Sequence, residues 1–247
     1  MSRWIIRLYS KVSSSWEYIG ILLYLFVGTF FLGYQLAGAN YLTLFTSIFT
    51  NKIFQTIFLY PSFIFLFILT YSKINHQSDL IIRLNTRKKY AQYMIATVTV
   101  FSAFLFLQVL LILLINCNLI PHTNFSTSNS FGYDCSDFIV SFVQIVKIFC
   151  TVLTLAYLSL LLQFVSKVQV TTVILMIAII LLFFLERMYP TGIMVLDTLN
   201  PGFHSSGLFL ETSIWKLTIT GMIYFVIVFI ILYIGIIKSA RKGKIGI

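Results

Sequence analysis

Six runs of about 20 apolar residues divide this chain, and they constrain its fold more than any other feature. An α-helix rises about 1.5 Å per residue, so each run is long enough to cross the ~30 Å hydrocarbon core of a membrane. The sequence therefore predicts an all-α integral membrane protein, in which residues 1–247 form a single transmembrane domain with six transmembrane helices. The predicted spans are 18–37, 53–72, 92–116, 140–164, 168–185 and 217–237.

The composition excludes a soluble fold. Hydrophobic residues make up 59% of the 247 residues and charged residues only 10%, whereas a soluble domain carries about 25% charged residues. One soluble core cannot bury so much Phe, Ile and Leu. Soluble enzyme folds are therefore excluded.

The basic residues are distributed unevenly about the predicted spans. Of the 17 Lys and Arg residues, 13 fall on one side of the membrane, and five of the seven acidic residues fall on the other. Lys and Arg are enriched in cytoplasmic loops. We therefore expect a multi-pass protein of the cell membrane with both termini in the cytoplasm. Because orientation accounts for the basic residues, no nucleic acid partner is expected.

Residues 1–17 carry an amphipathic pattern. Apolar and basic residues each recur every four positions, so a helix would place an apolar stripe beside a basic one. Such a helix lies in the membrane interface and contacts lipids; the alternative is an ordinary topology signal. The predicted interfacial helix rests on Arg3, Trp4, Arg7, Leu8, Lys11 and Trp16.

The loop 73–91, between the second and third spans, is the densest basic cluster. Ser78 or Asp79 can cap a short helix there, and Thr86 can cap the third span. An apolar face with a basic rim fits a groove on a soluble partner, although the basic residues also obey the positive-inside rule. The candidate docking residues are Asp79, Leu80, Ile81, Arg83, Leu84, Arg87, Lys88 and Lys89.

Residues 81–90 read Ile-Ile-Arg-Leu-Asn-Thr-Arg-Lys-Lys-Tyr. With six spans, an amphipathic N-terminal helix and this loop, the chain resembles the permease subunit of ABC-2-type transporters. The resemblance implies that the N-terminal segment is an interfacial connecting helix. It also implies that the loop 73–91 contains the coupling helix that contacts a separate cytoplasmic ATPase. The outer segment 186–216, which is interrupted by Pro and Gly, would be re-entrant.

The resemblance also implies partners. The chain has no Walker-type phosphate loop, so ATP and Mg²⁺ would be bound by the ATPase, and this chain would bind no cofactor and would not be an enzyme. In this family one six-helix unit forms half of the transport pathway, so the resemblance implies a homodimer or a second permease subunit. The composition resembles small permeases of Gram-positive bacteria that export, or confer immunity to, amphipathic peptides. The alternative function is a peptide-binding immunity or sensor protein without transport of its own.

Four residues within or at the ends of the spans are pathway candidates. Lys147 is basic within a span, with Gln144 one turn earlier on the same face, and intramembrane charges are functional candidates by default. Lys147 can instead lie at the boundary and reach water. Glu186 ends the fifth span as either a boundary group or part of a substrate relay. Pro61 interrupts the second span as a fixed kink or a pivot.

Cysteine and histidine residues provide few candidate sites. Cys117 and Cys135 fall in one outer loop and can form a disulfide if the compartment is oxidising. The three histidines fall in different loops, so no metal site is expected. Motifs of intramembrane proteases and quinone-linked thiol oxidases, such as His-Glu-x-x-His and Cys-x-x-Cys, are absent from the sequence.

Overall fold

The computed structural model describes residues 2–37, 39, 41–75, 86–122, 136–166, 169–188 and 214–242, and the structural statements below concern these residues. These residues form helices and a few turns, and no strand occurs among them, which confirms the all-α fold. The elements are α1 Ser2–Ser13, α2 Trp16–Tyr34, α3 Tyr41–Thr50, a π-helical segment Phe54–Leu59, α4 Tyr60–Asn75, α5 Arg87–Leu119, α6 Asp137–Ser166, α7 Gln169–Met188 and α8 Ile214–Lys242.

Five helical stretches are long and apolar enough to cross a membrane. They coincide with all the predicted spans except the fifth, so a multi-pass membrane protein is confirmed at this level. The predicted fifth span, 168–185, corresponds to α7, whose described apolar stretch Val170–Leu181 is shorter. The five stretches are Trp16–Tyr34, Phe54–Tyr71, Lys88–Leu119, Phe138–Ser166 and Thr218–Ala240.

Between the first two spans lies α3, an apolar helix that the sequence analysis did not predict. The hydroxyl of Tyr41, at its start, accepts a hydrogen bond of 3.4 Å from Asn118 near the end of α5. The ring of Phe49, near its end, lies 5.8 Å from the ring of Phe106 in mid-α5. α3 therefore runs antiparallel to the second half of α5, over about 12 Å from Tyr41 to Phe49. Its ten residues are too few to span a membrane, which is why the search for long apolar runs missed it.

The central helices α5 and α6 are antiparallel. Tyr90 near the start of α5 lies beside Phe164 near the end of α6, with ring centroids 6.1 Å apart. Further along, Phe106 lies beside Phe149 at 4.9 Å. The two helices are therefore in contact from the first turn of α5 to its middle.

In contrast, α6 and α8 run parallel, and two glycines of α8 face side chains of α6. A Cβ atom added to Gly221 would lie 3.4 Å from Cε of Lys147, and one added to Gly235 would lie 3.4 Å from Cδ1 of Leu161. Both pairs are separated by 14 residues along their helices, which is two heptads. Small residues at such positions let the backbones of membrane helices approach closely.

Helix α2 is also parallel to α5, but it lies beside only the second half of that helix. Tyr18, near the start of α2, donates a hydrogen bond to Gln108, and Thr29 accepts one from Asn116. Gln108 is 21 residues beyond Arg87, the first residue of α5. About 30 Å of α5 therefore precedes the level at which α2 begins.

Candidate functional site

Helix α6 carries a polar face into the protein interior. Four polar residues follow one another at spacings of three, four and three along the helix, which places them on one face. Each is almost completely buried, with at most 3% of its surface exposed. These residues are Gln144, Lys147, Thr151 and Thr154.

Lys147 is fully enclosed by protein. Its side chain is 1% exposed, and it lies against Gly221 of α8, where an added Cβ would be 3.9 Å from Nζ. A side chain of any size at position 221 would occupy the space beside the lysine. The side chain therefore turns towards α8 and is buried between the two helices, and its position relative to the membrane boundary stays a prediction.

Within the part of the chain that the structure describes, the ammonium of Lys147 makes no hydrogen bond or ion pair. The side-chain nitrogen and oxygen of Gln144, 0% exposed, are also unpaired there. Burial of an amide without a partner costs about 1–3 kcal/mol, and burial of an isolated charge costs several kcal/mol. The two side chains are therefore a concentrated, uncompensated polar pair within an apolar bundle.

Helix α3 lies next to this pair. Its Thr46 is buried and shares a hydrogen bond of 2.6 Å with Ser141, one turn before Gln144 on α6. The bond attaches the short helix to the central one at the level of the polar face. Sequence reasoning missed this contact because Thr46 lies in a segment that is too short to predict as a span.

A groove of 310 Å³ opens on the same seam between α6 and α8. Ile230 and Tyr233 in its wall are 55% and 43% exposed, so the groove faces the outside of the bundle. The ring of Tyr157 contacts that of Phe229 with centroids 5.7 Å apart. The lining is mostly apolar: Leu153, Tyr157, Phe229, Ile230 and Tyr233.

The N-terminal helix α1 is joined to the bundle by its aromatic and apolar side chains. Gln108 of α5 donates to the hydroxyl of Tyr9 over 3.5 Å and accepts from Tyr18. The Tyr9 ring also stacks on Phe104, with centroids 4.6 Å apart. One glutamine therefore connects the helices α1, α2 and α5.

The predicted amphipathic pattern of α1 is found in part. Leu8 is fully buried in the protein core, and Arg7 and Lys11 are exposed. Trp16 leaves the apolar stripe because α1 ends at Ser13, and as the first residue of α2 it is 85% exposed. The side chains of Arg3 and Trp4 lie outside the described set. The apolar stripe therefore packs against protein at Leu8, and the interfacial position of the helix stays a prediction.

At the predicted docking loop, the structure describes only the residues that start α5. Thr86 caps this helix as predicted, since its hydroxyl accepts a hydrogen bond of 3.3 Å from the backbone of Lys89. Lys88 and Lys89 are exposed, whereas the side chain of Arg87 is not described. The other docking candidates lie outside the described residues: Asp79, Leu80, Ile81, Arg83 and Leu84.

Pro61 lies at the junction between the π-helical segment and α4. Proline has no backbone N–H, so the carbonyl four residues earlier, that of Ile57, loses its helical donor. Tyr24 of α2 donates to this carbonyl instead, over 2.8 Å. The backbone N–H of Tyr60 reaches back five residues to Gln55. The hydrogen-bond ladder of the second span is therefore irregular at Pro61, within a helical stretch that continues from Phe54 to Tyr71, and a kink or a pivot at this point stays a prediction.

The remaining candidates are described only in part. Glu186 lies in α7, but its side chain, and the segment from 189 to 213 that contains most of the predicted re-entrant region, lie outside the described residues. The prediction that Cys117 lies in the outer loop is wrong, because the helix α5 continues to Leu119 and encloses Cys117 as a buried free thiol; Cys135 lies outside the described set. The described residues hold no group of three His, Cys, Asp or Glu side chains that can bind a metal.

Gly221 is the functional-site residue that sequence reasoning missed most clearly. The available signal was its spacing, since Gly221 and Gly235 are two heptads apart in the last span. Nothing in the sequence pairs that face with Lys147, which is 74 positions earlier.

Comparison with known proteins does not add a relative to this description. No family model, curated protein or solved structure matches the chain. The resemblance to ABC-2-type permeases therefore rests on the sequence features given above.

Proposed function

We propose that this chain is the membrane permease subunit of an ATP-driven exporter that moves an amphipathic peptide or lipid-like substrate out of the cell. The observation that carries the proposal is the length and attachment of α5. This helix is unbroken over 33 residues, starts directly after the predicted docking loop, and contacts α1, α2 and α6 by hydrogen bonds. Movement of its first turn is therefore transmitted to three other helices.

In the proposed orientation the first half of α5 extends below the level of α1 and α2 towards the cytoplasm. The exposed large apolar side chains of α5 lie between Phe104 and Leu119, which cover about 23 Å. This stretch contacts lipid, whereas the first half of α5 packs against α6 within the predicted span 92–116. The basic residues Lys88 and Lys89 then lie at the cytoplasmic end of the span, within reach of a soluble ATPase.

The proposal includes six spans, with α7 as the fifth, and both termini in the cytoplasm. Helix α7 has 20 residues, enough for about 30 Å. The ATPase, with its ATP and Mg²⁺, is a separate subunit, and a second permease subunit or a second copy of this chain completes the pathway. Helix α1 lies at the cytoplasmic interface, with Arg7 and Lys11 facing anionic lipid headgroups.

Docking is tested by co-purification of the chain with its candidate partner, a cytoplasmic ABC ATPase. Replacing Leu80, Ile81 and Arg83 together by alanine should abolish the complex, because it removes the apolar face and a basic rim residue. A matched control replaces two exposed apolar residues and one exposed basic residue of α8: Ile231, Ile234 and Lys238. An unchanged complex in the loop variant, or equal loss in both variants, contradicts the docking role.

The alternative function, a peptide-binding immunity or sensor protein, predicts no transport. Vesicles that contain this chain and the ATPase should release an amphipathic peptide only when ATP is present. Peptide binding without ATP-dependent movement would instead support the immunity or sensor function.

A further inference from the structure

The unpaired residues Gln144 and Lys147 and the apolar groove lie on one seam between α6 and α8. The side chain of Lys147 contacts Gly221, and Leu153, at the near edge of the groove, is six residues further along α6. The separation is about 9 Å along the helix axis. A buried charged end and an open apolar section thus follow each other along one interface.

We propose that this seam binds an amphipathic peptide, with a peptide carboxylate at Lys147 and apolar peptide side chains in the groove. The inference rests on the proposed export function and specifies its substrate class. The site contains two parts that lack partners in the described structure, and the same ligand satisfies both.

The buried positive charge of Lys147 is the reason to expect a carboxylate in the ligand. An enclosed ammonium without a counter-ion is unfavourable in an apolar interior, and an anion that enters with it removes much of that cost. The seven acidic residues of the chain include one, Glu17, whose side chain the structure describes, and it lies in the first turn of α2. Among the described residues, none therefore supplies this negative charge.

The unpaired side-chain amide of Gln144 is the reason to expect a peptide as the ligand. Both its amide nitrogen and its oxygen are unpaired, so a ligand that satisfies the side chain must offer an acceptor and a donor. A backbone peptide group offers both. A fatty acid carboxylate offers acceptors only and would leave the glutamine oxygen buried without a donor.

The groove sets the apolar part of the ligand. Its volume of 310 Å³ lies at the lower end of the range for ligand pockets, about 300–1,000 Å³, which is room for a few apolar side chains. Since Ile230 and Tyr233 are exposed, a peptide can approach from the side of the bundle.

Binding is measured on the full-length chain in lipid nanodiscs. The probe is a 20-residue amphipathic helical peptide without acidic side chains, labelled at its N-terminus and made with a C-terminal carboxylate or a C-terminal amide. We expect the wild-type chain to bind the acid at least about tenfold more tightly than the amide, because charge-assisted hydrogen bonds are strong. Equal binding of the two forms would overturn the proposal.

Variants assign the preference to residues. Lys147→Met should abolish the preference for the acid, Lys147→Arg should keep it, and Gln144→Leu should weaken both forms. Lys238→Met, which removes an exposed lysine of α8, is the matched control and should behave like wild type. A Lys147→Met protein that still prefers the acid contradicts the proposal; if that variant does not fold, thermal stabilisation of wild type by acid but not by amide decides.

A competition experiment separates peptide from lipid. Dodecanoate should displace the labelled acid far less effectively than the unlabelled acid peptide does; equal displacement would overturn the peptide assignment. These measurements need no ATPase, so failure here leaves the docking experiment unaffected, and failure of docking leaves this binding site unaffected.

Discussion

At the scale of residues, Lys147 shows what a sequence can and cannot predict. Its position within an apolar run, one turn from Gln144, was sufficient to select both as candidates. Its burial was not predictable, because it depends on the packing of α8 against α6 at Gly221, 74 positions away. Local spacing identifies which residues share a face of a helix, but it does not identify the helix opposite that face.

Two glycines of α2 give a test of the packing at this scale. A Cβ atom at Gly28 would overlap the ring of Phe58, whereas a Cβ atom at Gly20 would have no neighbour within 4 Å. We expect Gly28→Ala to lower the free energy of unfolding by about 1–3 kcal/mol through overpacking. Gly20→Ala should be neutral or stabilising, because alanine favours helix. Thermal unfolding in detergent measures both, and equal effects would contradict the described contact of α2 with the π-helical segment.

At the scale of elements, long apolar runs and caps were predictable, and irregular elements were not. The third predicted span, which is α5 in the structure, could be located from its apolar run and from Thr86, whose hydroxyl caps the start of the helix. In contrast, α3 has a buried apolar surface but only ten residues, so length gave no signal. The π-helical segment before Pro61 also could not be predicted, because the donor that satisfies Ile57 belongs to α2.

A double-mutant cycle can test whether the hydroxyl of Tyr24 replaces the missing backbone N–H of Pro61 as the donor to the carbonyl of Ile57. Tyr24→Phe should reduce stability by about 0.6–1.7 kcal/mol, the range for hydrogen bonds between membrane helices. In a Pro61→Ala background the new backbone N–H can pair with the carbonyl of Ile57, so Tyr24→Phe should then cost almost nothing. Tyr34→Phe, at an exposed position of the same helix, is the control and should have the same effect in both backgrounds. Additive effects of Tyr24→Phe and Pro61→Ala would contradict this explanation.

At the scale of the whole molecule, the parallel helices α6 and α8 differ in the kind of residue that each turns towards the interior or the exterior. Helix α6 turns a face of Gln, Lys and Thr inwards, whereas α8 exposes many isoleucines and only 22% of its apolar window is buried. A membrane reverses the usual preference of a surface, so an apolar exterior and a polar interior are compatible with a stable fold. The arrangement leaves the seam between α6 and α8 as the meeting point of both polarities, where the binding site is proposed.

Orientation is the whole-molecule property that the charge distribution predicts and that a labelling experiment can decide. In a variant with all three cysteines replaced by alanine, a single cysteine is introduced at the exposed position 89 or 121, by Lys89→Cys or Pro121→Cys. These positions lie at opposite ends of α5, about 48 Å apart along the helix. Because basic residues are retained in the cytoplasm, a membrane-impermeant maleimide should label Pro121→Cys in intact cells and Lys89→Cys only after permeabilisation. The reverse pattern would invert the topology and place the docking loop on the outer side, where no ATPase can reach it.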